Sequence, residues 1–262
     1  MKAKKFIRTE KLGNGLVQLE MTNAGRRNAM NEVMASEFFD VVRQLKKNAA
    51  LRVLILTGAG EVFSAGGDLE MLEGKITLPR QKNRQLMKDF YKKFLSITEL
   101  DVPVVAAING HAMGAALCLA LACDLRCCVR SAKLGLNFVH LGLHPGMGAT
   151  YFLPRLVGVA RTNELLFSGK VMTANEAHEL GIVNQVFDDD KFSKAVLNLA
   201  EQLTAASPQA TRELKQTLRG VAGRTLNDAL MCEATAQAKD YAGADFKEGI
   251  TAAREKRKPE FS

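Results

Sequence analysis

No tryptophan occurs in the sequence, and aromatic residues are scarce: 13 phenylalanines and three tyrosines make up 6% of its 262 positions. Surfaces that bind single-stranded nucleic acid commonly combine basic side chains with aromatic rings that stack on the bases. No such interleaved strip occurs here, and the net charge of +8 is dispersed, with local concentrations of basic residues only at 2–5 and 254–258. The sequence therefore disfavours nucleic acid as the partner, whereas a basic chain is also suited to an anionic small ligand.

Long apolar runs are missing as well. No uncharged apolar stretch approaches the roughly 20 residues that a membrane-spanning helix needs. The basic N-terminus at 1–6 is followed by no apolar segment of the kind found in secretory signals. We therefore expect a cytoplasmic protein without membrane contact. At 262 residues, the chain is long enough for one α/β domain with an appendage.

Cysteines are few, and no two of them have the CxxC spacing of common metal and redox sites. Four lie in apolar surroundings, which is typical of buried free thiols. We expect neither a metal site nor a disulfide. The five cysteines are Cys118, Cys123, Cys127, Cys128 and Cys232.

Short apolar runs alternate with amphipathic stretches, and this pattern is typical of an α/β fold. Strands are predicted at 6–10, 16–21, 53–57, 104–108, 125–130, 134–138 and 182–187. Helices are predicted at 31–47 and 80–98, the first with one buried face formed by Val33, Met34, Phe38, Val41, Val42 and Leu45. Strand signals end at Asp189. We therefore expect a core at 1–188 and a helical region at 189–262 that packs on the core or on a neighbouring chain.

The central segment of the chain is an uncharged, helix-like stretch at 115–123 that follows the apolar run 104–108. Small residues separate the two, so the first N–H groups of the helix lack intrahelical partners and can bind a negative oxygen. The segment 64–68 has the same design. Two such donors at one carbonyl oxygen would stabilise an enolate or a tetrahedral oxyanion. Small-residue turns also occur for packing reasons, so the pattern alone leaves both interpretations open.

These segments carry motifs of a known family. The stretch Phe63-Ser64-Ala65-Gly66-Gly67-Asp68-Leu69 resembles the F-x-A-G-x-D-L signature of the crotonase, or enoyl-CoA hydratase/isomerase, superfamily. Further segments that are similar to this superfamily lie at 103–110, 134–135, 145–148, 153–158, 173–184 and 255–261. The resemblance covers essentially the whole chain. It implies an α/β spiral of ββα units with a C-terminal helical trimerisation region, assembled as a trimer or a dimer of trimers.

The resemblance also implies an acyl-CoA substrate, with coenzyme A as part of that substrate and no separately bound cofactor. It assigns the oxyanion-binding amides to Gly67 and Ala115. It implies that coenzyme A lies along 26–30 and 65–70, with Lys256 of the same or a neighbouring subunit at the nucleotide phosphates. The residues expected at coenzyme A are Arg26, Arg27, Ala29, Ala65, Gly66, Asp68, Leu69, Glu70 and Lys256.

The sequence departs from the family pattern at two positions. Hydratases of this family have two glutamates beside the substrate's double bond, and the corresponding residues here are Cys118 and Phe138. Hydration needs a base for water and an acid for the α-carbon, and loss of such a group typically costs ~10²–10⁴ in rate. We therefore favour isomerase-like or other CoA-ester chemistry, such as hydrolysis or decarboxylation. The alternatives are a catalytically silent acyl-CoA-binding protein and, less favoured, an RNA-binding family member.

Other groups could move protons in place of the glutamates. His140 and His144 lie on the loop that lines the acyl pocket in the family, and a histidine titrates near neutrality. Cys118 lies one turn into the predicted helix, where a thiolate is favoured, although its leucine neighbours favour a buried, inert thiol. We interpret His111 as structural and Asp68 as the cap of the following helix.

Overall fold

The structure is a computed structural model that describes residues 5–220 and 223–261. The basic residues at 2–4 therefore lie outside the described part. The strands, in chain order, are β1 (Ile7–Gly13), β2 (Leu16–Met21), β3 (Val53–Gly58), β4 (Val104–Ile108), β5 (Ala112–Met113), β6 (Leu125–Val129), β7 (Lys133–Gly135), β8 (Val171–Thr173) and β9 (Gln185–Phe187).

The helices surround two sheets. They are α1 (Glu32–Lys46), α2 (Leu69–Glu73), α3 (Arg80–Leu95), α4 (Ala115–Leu121), α5 (Ala149–Ser168), α6 (Ala174–Glu179), α7 (Phe192–Thr204), α8 (Pro208–Arg219), α9 (Leu226–Tyr241) and α10 (Ala244–Glu255). Short 3₁₀ helices lie at Ala24–Arg26, Ser96–Glu99 and Asn137–Leu141. Within the described residues, no helix is long and apolar enough to span a bilayer.

The larger sheet has six strands in the order β1-β2-β3-β4-β6-β9. The first pair is an antiparallel hairpin with its turn at Gly13-Asn14-Gly15, and Asn14 and Gly15 adopt the positive φ angles of 47° and 74° that such a turn needs. All later pairs are parallel. Every residue of β3 and β4 is buried, as expected for central parallel strands covered on both faces.

The smaller sheet has three strands in the order β5-β7-β8. In the sequence, α4 lies between β5 of the smaller sheet and β6 of the larger sheet, and all seven of its residues are buried. On the larger sheet, α7 packs against β2, β3 and β6. The α1–α3 contact is aromatic, with the Phe38 and Phe94 ring centroids 5.1 Å apart and those of Phe90 and Phe94 5.2 Å apart.

Several helix starts agree with the caps in the sequence. The Thr173–Glu176 capping box begins α6, and Ser207, directly before Pro208, accepts a hydrogen bond from the Ala210 amide at the start of α8. Thr225 and Asp228 form the same reciprocal bonds in a second capping box, at the start of α9.

Other predictions about the elements were wrong in part. The predicted strand 134–138 stops at Gly135 and continues as the 3₁₀ turn, so Phe138 lies outside the sheet. The predicted strand 182–187 pairs only from Gln185, and β8 was not predicted. Val33 was expected on the buried face of α1, but it is 57% exposed because the core contacts the helix through Met34 and Phe38 instead.

Candidate active site

The first sharp bend is formed by Gly66 and Gly67 beside Met30. The Met30 amide donates to the Gly66 carbonyl at 2.7 Å, and the Asp68 amide donates to the Met30 carbonyl at 2.9 Å. Met30 and Gly67 thus form a parallel bridge. In such a bridge, the two bonds leave the amide of the intervening residue, Gly67, pointing away from the Met30 segment. The Gly67 N–H has no acceptor among the described residues. It is therefore free to bind a ligand oxygen.

Gly66 brings this bend into contact with the second one. Its φ angle of +90° lies in the region that favours glycine. A Cβ at this position would lie 2.5 Å from the Met113 carbonyl oxygen and 3.5 Å from the Ala115 amide nitrogen. A side chain at Gly66 would therefore separate the two bends.

The second bend is formed by Gly114, which has a φ angle of 53° and a ψ angle of −119°. Its amide donates to the Gly135 carbonyl at 2.8 Å, and its carbonyl accepts the first helical bond from the Cys118 amide at 3.1 Å. Ala115 begins α4, and its N–H has no acceptor in the described part of the chain, as expected in the first turn of a helix.

Both free amides belong to residues that line one cavity of about 960 Å³. Seven of the residues expected at coenzyme A also line it: Arg26, Arg27, Ala29, Ala65, Asp68, Leu69 and Glu70. Gly66 lies behind the lining. Lys256 ends α10 at a φ angle of 55° and does not line the cavity of its own chain.

The mouth of the cavity carries a small ion-pair cluster. The Arg26 guanidinium bonds both carboxylate oxygens of Glu70, with Nη1–Oε2 at 3.0 Å, and lies 3.3 Å from Asp68 Oδ2. The Glu70 hydrogen bond raises the pKa of Arg26, and the same bond lowers the pKa of Glu70. Asp68 Oδ1 also accepts from the Met71 amide at 3.1 Å, which confirms the predicted cap at the start of α2. The cluster fixes the position of Arg26 beside the cavity.

Many of the side chains that line the cavity are apolar. Its apolar lining consists of Met71, Leu72, Met87, Phe90, Phe138, Leu141 and Leu143. The Phe138 ring lies against Gly114, 3.8 Å from where a Cβ would stand. Of the two histidines proposed as acid or base, His144 lines the cavity. His140 does not line it, and its Nε2 lies 2.8 Å from the Ser168 carbonyl oxygen.

Cys118 is completely buried behind the lining. Burial raises the pKa of its thiol far above the ordinary range, so the thiol stays neutral near pH 7. A neutral, enclosed thiol is a poor base, and no side chain of the described residues forms a hydrogen bond with the Cys118 thiol. His111, which the sequence analysis interprets as structural, accepts a hydrogen bond from the Lys133 amide at 3.1 Å.

Tyr91 is a cavity residue that the sequence did not single out. It lies on α3, and a Cβ at Gly146 would overlap its hydroxyl. Burial, and to a smaller extent the neighbouring Cys118 thiol, raise the pKa of Tyr91. The sequence signal for Tyr91 was its position next to Phe90 in the apolar stripe of α3. Its contacts with Gly146 and Cys118 could not be predicted, because these residues are distant in sequence.

Known proteins with similar sequences share this arrangement of elements. The chain is 33% identical over 249 residues to 1,2-epoxyphenylacetyl-CoA isomerase of Escherichia coli K12, with 95% of each protein covered. It is 35% identical over 256 residues to enoyl-CoA hydratase domain-containing protein 2, mitochondrial, of Homo sapiens, which covers 94% of this chain and 85% of the relative. The crystal structure of enoyl-CoA hydratase from Bacillus anthracis matches with a TM-score of 0.92 and 32% identity, over 98% of this chain and 99% of that one.

The match to the family described as enoyl-CoA hydratase/isomerase extends over residues 11–262. The chain therefore belongs to the enoyl-CoA hydratase/isomerase family of the crotonase superfamily. The predicted crotonase-type α/β fold is confirmed by the structural match. The coarse functional prediction, a family of enzymes that process acyl-CoA esters, is confirmed with it.

Proposed function

We propose that this protein binds an acyl-CoA thioester and stabilises its enolate with the amides of Gly67 and Ala115. The observation that carries this proposal is that both N–H groups are free, line the same cavity and belong to bends that are in contact at Gly66. A fixed donor aimed at a developing oxyanion contributes ~10²–10³ in rate.

The residues around the acyl end favour a reaction other than ordinary hydration. Cys118 is a buried neutral thiol and Phe138 an apolar ring, so neither supplies the carboxylate that activates water in family hydratases. A double-bond or ring isomerisation needs at most one group to relay a proton. The isomerase named among the relatives, from Escherichia coli, supports this class.

A catalytically silent acyl-CoA-binding protein is the second candidate. It is favoured by the apolar side chains of the cavity and by the lack of a carboxylate at Cys118 and Phe138. RNA binding, the third hypothesis, gains no such support. In the basic C-terminal segment, Arg257 already pairs with Glu248 at 2.9 Å and with Glu255 at 2.7 Å.

For coenzyme A, we propose contacts along the mouth of the cavity at Arg26, Arg27 and the bend that follows Ala65. These residues line the outer part of the cavity, and Arg27 makes no ion pair with the described residues. A guanidinium is well suited to a phosphate because it donates two parallel hydrogen bonds. Lys256 contributes to this site only from a neighbouring subunit, since it does not line the cavity of its own chain.

We also propose self-association, as a trimer or a dimer of trimers, through the helices after Asp189. Several large apolar side chains of these helices are exposed to solvent in the single chain. On α8 and α9 they include Leu214, Leu218, Leu226, Leu230 and Met231.

The substitution Ala115→Pro tests the oxyanion site. Proline is tolerated in the first turn of a helix, but it removes the N–H and places ring carbon where the substrate oxygen would bind. We expect turnover to fall at least ~10²-fold. The measurement uses saturated, 2-enoyl, 3-enoyl, dicarboxyl and epoxide CoA esters, with the products identified by mass spectrometry.

Ala244→Pro is the matched control, because Ala244 is the exposed first residue of α10 and lies away from the cavity. It is expected to retain full turnover. Unchanged turnover in Ala115→Pro would contradict the proposed oxyanion site. If the unaltered protein binds CoA esters but converts none of them, the silent acyl-CoA-binding protein replaces the enzyme as the conclusion.

A further inference from the structure

The guanidinium of Arg26 is paired with an acidic side chain through the edge that a phosphate would use. Its two terminal nitrogens, Nη1 and Nη2, each bond one oxygen of the Glu70 carboxylate, with Nη1 3.0 Å from Oε2. The same Nη1 lies 3.3 Å from Asp68 Oδ2. A phosphate that binds end-on to a guanidinium, through two parallel hydrogen bonds, needs this same pair of nitrogens. Glu70 and a phosphate therefore compete for the same donors.

Both partners of this ion pair are accessible to a ligand. Arg26 ends a 3₁₀ helix and Glu70 lies in the first turn of α2, and both residues line the cavity. Their side chains are 48% and 72% exposed. An exposed ion pair of this kind is weak, because water solvates the separated charges well. A phosphate can therefore displace the carboxylate at a small cost in free energy.

The two carboxylates around Arg26 differ in how firmly they are held. Asp68 is buried, and its Oδ1 accepts from the Met71 amide at 3.1 Å, so this side chain is fixed as the cap of α2. The Glu70 carboxylate bonds Arg26 and no other group in the described part of the chain. Glu70 is therefore the carboxylate that can turn into solvent and release the guanidinium.

We infer that Glu70 masks Arg26 until a phosphate of the CoA ester displaces it, so that Glu70 lowers the affinity of the site for phosphate-bearing thioesters. This inference rests on the proposed acyl-CoA site. It gives Glu70 the role of an internal competitor of coenzyme A, whereas Arg26 and Arg27 remain the groups that bind phosphate. The hydrogen bond from Arg26 lowers the pKa of Glu70, so the competing carboxylate is ionised at neutral pH.

Isothermal titration calorimetry of Glu70→Gln with butyryl-CoA tests the mask. The substitution keeps the size of the side chain and removes the charge that holds Arg26. The gain in affinity should match the strength of the ion pair that no longer has to be broken, which for exposed pairs corresponds to about 2- to 5-fold. We expect Glu70→Gln to bind butyryl-CoA more tightly by this factor. Butyryl-pantetheine, which has no phosphate, is expected to bind the variant and the unaltered protein equally.

The same helix provides a matched control in Glu73→Gln. Glu73 is the exposed last residue of α2 and does not line the cavity, so this variant has the same change in charge without releasing Arg26. It is expected to leave the affinity for butyryl-CoA unchanged. A second comparison uses the Arg26→Gln background, in which Glu70→Gln has no ion pair to release. There we expect Glu70→Gln to change the affinity no more than Glu73→Gln does.

Several results would overturn the inference. Weaker binding of butyryl-CoA by Glu70→Gln would indicate that Glu70 positions Arg26 for a phosphate on its other edge. An affinity no higher than that of Glu73→Gln, or an equal gain for butyryl-pantetheine, would show that no phosphate competes with Glu70. An undiminished gain in the Arg26→Gln background would show repulsion without competition. Failure of the proposed function gives a different result, because the unaltered protein would then bind neither butyryl-CoA nor coenzyme A itself.

Discussion

The two adjacent glycines of the first bend have different physical requirements. Gly66 needs a positive φ angle and has no room for a Cβ beside the Met113 carbonyl. Gly67 lies outside the left-handed region, and a Cβ there would make an ordinary contact with Leu72 Cδ1 at 3.5 Å. Only the first of the two positions therefore demands glycine for the backbone itself.

Gly66→Ala is expected to lower the free energy of unfolding by at least ~2 kcal/mol, because strain and overlap act together. For a chain of this size, this corresponds to a Tm lower by roughly 4–8 °C. Thermal unfolding followed by circular dichroism measures the change. Gly67→Ala is the matched control, with an expected Tm within about 2 °C of the unaltered protein. Equal Tm values for the two variants would refute this account of Gly66.

The sequence singled out residues whose proposed roles depend on local pattern. Gly67 and Ala115 were assigned through a motif and a turn of small residues, and the cap at Asp68 follows from its position before α2. Tyr91 was not predicted because its significance depends on Gly146 and Cys118, which fold against it from distant parts of the chain. Nothing in the local periodicity of α3 distinguishes a cavity-lining ring from a core ring.

At the scale of elements, patterns with strong end signals predicted the structure well. The helix predicted at 31–47 is α1, which begins within one residue of the expected position after the cap at Asn31. The segment 134–138 was misassigned because an apolar run of that length fits a strand or a buried turn equally well. The three-residue strand β8 is too short for its alternation to be detected, and it exists because β7 offers it an edge.

The helix α9 has an unusual distribution of apolar residues. None of its residues is buried in the single chain, although several are large and apolar. Leu226, Leu230 and Met231 are 76%, 53% and 62% exposed. Exposed clusters of this kind mark interaction surfaces. This exposure supports the proposed self-association through α9.

Leu230→Glu tests the proposed self-association through α9. A buried carboxylate without a partner strongly destabilises an apolar interface. Analytical ultracentrifugation is expected to give a multiple of 28.6 kDa for the unaltered protein and a smaller mass for the variant. Val33→Glu introduces the same charge at an exposed apolar position of α1 and is expected to leave the mass unchanged. A variant that keeps the full mass would show that α9 is not in the interface.

At the scale of the whole molecule, four of the five thiols share one environment. Burial raises the pKa of Cys127 to about 11 and the pKa values of Cys123 and Cys128 to about 12, and it raises that of Cys118 further. An unfolded chain releases these protons near pH 9, whereas the folded chain retains them. The unfolded state therefore binds fewer protons in this range, and stability falls as pH rises.

The expected consequence is a free energy of unfolding that decreases above about pH 9, by up to ~1.4 kcal/mol per pH unit for each buried thiol. Urea unfolding at pH 8, 9 and 10 measures it. Cys118→Ala is expected to reduce this slope by about one thiol's share, whereas Cys232→Ala removes a thiol outside the core and serves as the control. Parallel slopes for Cys118→Ala and the unaltered protein would disprove the contribution of Cys118.

Composition predicted the general properties of the molecule but not its cavity. The basic charge is compatible with an anionic small ligand, and Arg26 and Arg27 line the cavity, but composition alone left the ligand open. The fold itself was reached through the resemblance of ordered motifs, since short strands alone are compatible with many α/β folds. Which side chains meet in the cavity depends on tertiary contacts that no local pattern encodes.

The complete enclosure of Cys118 limits how this protein could acquire or regain hydration chemistry. A glutamate introduced at that position would sit among apolar groups next to the Tyr91 ring, and desolvation would hold its carboxyl group in the protonated form. Such a group could give up a proton only with difficulty and could not accept one from water. A single substitution at Cys118 is therefore not expected to supply the missing base, and the carboxylate absent at Phe138 would remain absent.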